Sequence, residues 1–114
     1  MVKIFIALFF SIFFSIKSYS SSNNLFFTTA QFMTYCKSDN IYELGICDGY
    51  IIAVSDVIYS LDKKTAQICL DENISIKTLR GSIINFIVDN AGLMNVEANK
   101  VIGQFFVNTF QCKK

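Results

Sequence analysis

The sequence predicts an all-α domain: four helices arranged as two helical hairpins and stapled by two disulfides. Three observations carry this. Apolar residues recur at spacings of three and four in separate segments, the mark of one helical face. The segments are joined by polar stretches, and the chain has no proline. Four cysteines, at 36, 47, 69 and 112, give an even count in a small domain.

The elements follow in order. Helix one runs from Thr29 to Cys36 or Lys37, with Thr28 or Thr29 offering a side-chain oxygen to its first amides. Its aromatic residues Phe26, Phe27, Phe32 and Tyr35 would also suit a strand. The polar run "KSDN" ends it. Helix two opens at Cys47 and carries Tyr50, Ile51, Val54, Val57, Ile58 and Leu61 at helical offsets. Asp48 favours its positive start, and Gly49 permits a close approach of the chain. Ile52 and Tyr59 form a thinner second stripe that faces solvent, a second subunit or a partner.

A polar connection over residues 62–74 contains Cys69 and leads to Ser75, the cap of helix three. That helix buries Ile76, Leu79, Ile83, Phe86 and Ile87. Gly81 within it costs about 1 kcal/mol relative to alanine, which a close helix crossing would offset. "DNAG" stops it, with Gly92 suited to the left-handed C-terminal position. Asn95 caps helix four, Glu97 occupies its first turn, and Ala98, Val101, Ile102 and Phe105 form its stripe, with Phe106 and Phe110 to one side.

The first twenty residues stand apart. Lys3 precedes an apolar run from Ile4 to Ile16, and Ser18-Tyr19-Ser20 follows. A positive start, a short apolar core and a small-x-small end describe a cleaved signal peptide, and the run falls short of the roughly 20 residues of a membrane span. Export therefore delivers residues 21–114 as a single domain, with no stable membrane insertion after cleavage. Removing Lys3 and Lys17 from the 10 basic residues leaves 8 against 9 acidic ones, a net charge of −1. That balance gives no basic footprint for nucleic acid. The pair Lys63 and Lys64 reads as a solvated face.

Histidine is absent, so no Ser-His-Asp or Cys-His arrangement exists. No C-x-x-C pair supports zinc. No cofactor is expected. Behind an export signal, four cysteines imply two disulfides. Helix geometry selects among the three pairings. Cys36 ends helix one and Cys47 begins helix two across a short turn. Cys112 ends helix four, which returns beside the start of helix three, just after Cys69. The expected pairs are Cys36–Cys47 and Cys69–Cys112. With the thiols paired, no reactive centre remains at Cys47, and the chain is not expected to be an enzyme.

The combination of Cys47-Asp48-Gly49-Tyr50-Ile51, Asp56, a Cys69 segment before a Ser-capped helix, and a terminal Phe-x-Cys at Cys112 resembles the Tai/Rap-type immunity proteins of type VI secretion systems. The resemblance runs from Cys36 to Cys112. It departs from the family pattern at Ala53, where glycine is usual, and at Asp71 and Gln111, where proline is usual. These are packing and loop positions. The resemblance implies a periplasmic antitoxin, often a homodimer, that occludes the active-site cleft of a delivered peptidoglycan amidase without turnover. Candidate partner-binding residues are Asn90, Leu93 and Met94 in the turn between helices three and four, and Ile52, Asp56 and Tyr59 on helix two. In that turn Leu93 and Met94 are either a staple onto helix four or an anchor for a partner. The competing assignment is a small periplasmic chaperone of the acid-stress type, also helical and disulfide-bonded.

Overall fold

Thr28 starts the first helix of the computed structural model, which describes residues 27–62 and 67–113. The signal peptide and the Lys63–Lys64 pair lie outside the described residues. The Thr28 side chain accepts from the Gln31 amide, and the Gln31 side chain accepts from the Thr28 amide, a reciprocal capping box. Helix α1 then spans Thr29–Cys36. Thr29, the other candidate cap, is instead fully buried. Its amide and its hydroxyl both donate to the Val96 carbonyl, at 2.8 Å each. Thr28→Ala removes the box and should cost about 1 kcal/mol in a urea titration.

Helix α2 spans Ile41–Asp62 and begins six residues before the expected start at Cys47. The cause is Asn40. Its side-chain oxygen accepts from the Tyr42 amide at 2.8 Å, and its carbonyl accepts from the Leu44 amide at 3.0 Å. The segment that ends α1 therefore also caps α2. Asp48 consequently lies in the second turn and not at the helix start. It accepts from Arg80 Nη1 through both carboxylate oxygens, at 2.6 Å. Gly49 meets nothing within 4 Å of an added Cβ, so it makes no close approach. The expected buried stripe is narrower than the pattern: Ile51 is buried, Tyr50, Val54 and Ile58 are half-buried, and Val57 and Leu61 are exposed.

Helix α3, Ile76–Asp89, is capped by Ser75, whose hydroxyl accepts from the Thr78 amide. It buries Leu79, Ile83 and Ile87, with Ile76 and Phe86 packed at the edge. Gly81 also faces open space, so no helix crossing offsets it. A 3-10 turn at Ala91–Leu93 follows, with Gly92 inside it in place of the left-handed position expected. Helix α4 spans Ala98–Thr109. Its cap position is Glu97 and not Asn95, because the preceding strand-like segment is committed to α1. Ala98 N donates to the Phe27 carbonyl, and Thr28 and Glu97 form an antiparallel bridge.

All four helices bury one face in a common core, and no strand occurs among the described residues. Ile102 and Phe106 of α4 meet Ile83 and Ile87 of α3, Ile51 of α2, and Phe32 and Met33 of α1 in one apolar cluster. Phe105, Phe106 and Phe110 form a ring cluster that Phe86 joins, and Phe27, Phe32, Tyr35 and Tyr50 form a second at the other face. Ring pairs at these tilted geometries add to the stabilisation from area burial. Both expected disulfides are present. Cys36–Cys47 joins α1 to α2 with Cα atoms 5.1 Å apart, and Cys69–Cys112 joins the α2–α3 connection to the C-terminal end with Cα atoms 4.9 Å apart.

Candidate functional site

The stretch around Cys47 carries no reactive chemistry. Its sulfur is bonded to Cys36, its side chain is wholly buried, and the adjacent carboxylate is engaged by Arg80. The nearby Tyr50 phenol is pushed up by burial, an effect partly offset by a backbone hydrogen bond with Asn99. A tyrosine held neutral between two helices is a structural element.

The six candidate partner-binding residues fall in two places. Asn90, Leu93 and Met94 belong to the α3–α4 turn. Asn90 is exposed and folds its amide back onto the Phe86 carbonyl at 2.8 Å. Leu93 and Met94 are half-buried against the core, and neither protrudes. The Met94 and Val96 carbonyls accept from the Ala30 and Thr29 amides at 2.9 and 2.8 Å. The turn thus supplies backbone acceptors to the otherwise unpaired amides that open α1. What it presents outward is Asp89, Asn90, Ala91 and Gly92 on a hydrogen-bonded base. With Asn90 among the binding candidates, the sequence leaves Leu93 and Met94 either a staple onto helix four or an anchor for a partner. The structure gives those residues a packing role and exposes their small polar neighbours. The two apolar side chains in a polar turn were the available signal, and they mark the turn's attachment.

Ile52, Asp56 and Tyr59 come together on α2. Asp56 and Tyr59, with Ser55, Ser60, Leu70 and Glu72, border an open groove of about 440 Å³ between α2 and the segment leading to α3, and Ile52 lines a smaller adjoining depression of about 210 Å³. The groove's far wall is fixed at one end by Asp62, whose carboxylate accepts from the Gln67 and Ile68 amides. At the other end Cys69 N donates to the Phe110 carbonyl, and Cys112 N to the Gln67 carbonyl. Asp71 accepts from the Asn73 amide at 2.9 Å and closes the local turn. No cluster of three or more potential metal ligands occurs among the described residues.

These features define a class: a small helical protein, braced by two disulfides, whose distinctive parts are surfaces. The sequence model of the Rap1a immunity proteins matches residues 28–112, which covers all four helices and all four cysteines. The chain belongs to the Rap1a immunity protein family. That membership makes it an immunity protein, and it implies a cognate secreted effector as binding partner. No curated protein and no solved structure matches the chain.

Proposed function

We propose that the protein is a periplasmic inhibitor of a type VI secretion peptidoglycan amidase, exported by a cleaved signal peptide over residues 1–20. It acts by occupying the effector's cleft and catalyses no reaction itself. The observation that carries this reading is the family match over residues 28–112 on a frame braced by two disulfides. An export route and an oxidising destination accord with that frame.

Occlusion needs a projecting element that does not have to be ordered on binding, since ordering consumes affinity. The α3–α4 turn fits this requirement. Its exposed tip around Asn90 sits on Leu93 and Met94, which pack into the core, and its backbone is bonded to the start of α1. We assign the cleft contact to this tip. Ile52, Asp56 and Tyr59 lie apart from it on α2, the face we assign to a second copy of the chain in the homodimer that the family resemblance implies. Family membership favours the inhibitor over the acid-stress chaperone.

Mixing the oxidised protein with its cognate effector, a secreted Cys/His amidase on this reading, should abolish peptidoglycan hydrolysis at a stoichiometric ratio. Gly92 has open space where a Cβ would stand and no positive φ, so Gly92→Arg is tolerated by the fold while enlarging the tip. It should weaken inhibition by at least about tenfold, the scale of a disturbed interface anchor. Hydrolysis unaffected by the wild-type protein, together with suppression of aggregation at low pH, would establish the chaperone instead.

A further inference from the structure

Thr29 is the one buried polar residue among the described residues. Taking a hydroxyl out of water is unfavourable unless it is hydrogen-bonded, and valine would fill the same space without that cost. A backbone group in need of a partner would explain such a hydroxyl, but none is waiting for it here. The Val96 carbonyl already accepts from the Thr29 amide at 2.8 Å, and the hydroxyl donates to the same oxygen, also at 2.8 Å. A carbonyl has two lone pairs, so it takes both bonds. What the second bond adds is direction. Two donors from one residue on one oxygen fix where the Val96 carbonyl points.

The turn between α3 and α4 depends on that direction. Its first half is bonded to α3, where the Asn90 backbone and side-chain amides donate to the Ile87 and Phe86 carbonyls. Its second half lacks a local cap, since Glu97 makes no side-chain bond at the start of α4. Residues 94–98 run antiparallel to residues 27–30 instead. Ala30 N donates to the Met94 carbonyl and Ala98 N to the Phe27 carbonyl, both at 2.9 Å, with the Thr28–Glu97 bridge between them. Thr29 sits at the middle of this pairing, 67 residues from Val96 in sequence. From Val96 the bonding continues to the tip. Val96 N donates to the Leu93 carbonyl at 3.0 Å, and Leu93 N to the Asn90 carbonyl at 2.9 Å. Successive hydrogen bonds therefore link the start of α1 to the exposed tip.

We propose that Thr29 is a positioning residue for inhibition, its buried hydroxyl holding the α3–α4 turn in the form that enters the effector's cleft. This rests on the assignment of the cleft contact to the tip of that turn. Thr29 is 0% exposed, so it reaches the effector only through the turn. The apparent inhibition constant scales inversely with the fraction of protein in the binding-competent form, so a turn that leaves this form about two-thirds of the time binds about threefold more weakly.

Two substitutions separate positioning from stability. Thr29→Val keeps the volume and removes the hydroxyl, while the backbone bond to the Val96 carbonyl remains. Thr29→Ser keeps the hydroxyl and removes a buried methyl group, which lowers the urea midpoint. Inhibition of the amidase effector, measured where all three proteins are folded, should weaken at least about threefold in Thr29→Val and return to the wild-type value in Thr29→Ser. A hydroxyl that only stabilised the fold would leave inhibition unchanged in both. Native-state hydrogen exchange of the oxidised protein gives a readout without effector. Thr29→Val should speed exchange at the Leu93 and Val96 amides about fivefold, the factor for one lost hydrogen bond, beyond any change at Ile83 and Ile87 in the core of α3. Wild-type inhibition by Thr29→Val, inhibition by Thr29→Ser as weak as that of Thr29→Val, or exchange that quickens uniformly along the chain overturns the positioning role. A wild-type protein that does not inhibit the amidase overturns the cleft assignment instead, and the exchange result then still decides whether Thr29 holds the turn.

Discussion

Replacing Cys69 and Cys112 together by alanine should lower the unfolding free energy by about 4 kcal/mol and the midpoint of thermal unfolding by roughly 15–30 °C. The bridge joins residues 43 apart in sequence. Closing a loop of that length removes much of the freedom of the unfolded chain, and the cost of losing it scales with the logarithm of the length. The Cys36–Cys47 bridge spans 11 residues, so by the same argument it contributes less, about 3 kcal/mol. Position separates the two further. Cys69 is exposed, whereas Cys36 and Cys47 are buried in the core. A mild reductant should therefore open Cys69–Cys112 first, as mass spectrometry after thiol capture would show. Two backbone hydrogen bonds beside that bridge, Cys69 N to the Phe110 carbonyl and Cys112 N to the Gln67 carbonyl, would then hold the C-terminal end against the α2–α3 connection together with the packing of Ile68 and Phe110 in the core. An unchanged midpoint in the double variant would mean that the unfolded chain keeps these segments together without the bridge.

Both pairings are legible in the sequence, because the positions of the helix ends leave little choice. Cys36 at the end of one helix and Cys47 across a short turn must meet if the helices are antiparallel. The buried sets of α3 and α4 were legible for a related reason. Each helix packs one stripe, and Leu79, Ile83 and Ile87, or Val101, Ile102 and Phe105, recur at the helical period. Caps were harder to place. Thr28 and Ser75 act as expected. Asn40 was hidden inside a segment read as a terminator, although one polar run can end a helix and begin the next. Asn95 and Gly92 have suitable chemistry for cap positions, but tertiary hydrogen bonds to α1 pull the chain into another path there.

The functional surface was less legible than the frame. Apolar residues in a turn signal either attachment or recognition, and sequence spacing cannot distinguish these. In this protein Leu93 and Met94 are attached, so the exposed tip of the turn is made of the residues beside them. On α2 the ambiguity runs the other way. The helix is apolar on nearly every side, so the periodicity that marks a core face also runs through residues that the chain leaves uncovered. Asp48 illustrates the same limit in electrostatics. A carboxylate near a helix start reads as a dipole partner, while its actual partner, Arg80, lies 32 residues away in sequence.

Ile51→Ala should destabilise the protein by about 2–5 kcal/mol, whereas Leu61→Ala, ten residues along the same helix, should change stability by no more than about 0.5 kcal/mol. The sequence places both residues on one helical stripe. The structure separates them: Ile51 is 0% exposed and Leu61 is 74% exposed. Ile51 sits within the cluster formed by α1, α3 and α4, next to the Cys36–Cys47 bridge. Truncating it removes apolar burial and leaves a cavity that the bridge and the surrounding helices resist closing. Leu61 lies one residue before the end of α2, beyond the point where α1 and α4 cover the helix, and its truncation opens no internal space. Urea titrations of both variants, with the slope held common, would measure the difference. Equal losses would show that the C-terminal turn of α2 is covered in solution. A repeat of the Leu61→Ala titration at several protein concentrations would then distinguish a second copy, whose contribution rises with concentration, from packing within the chain.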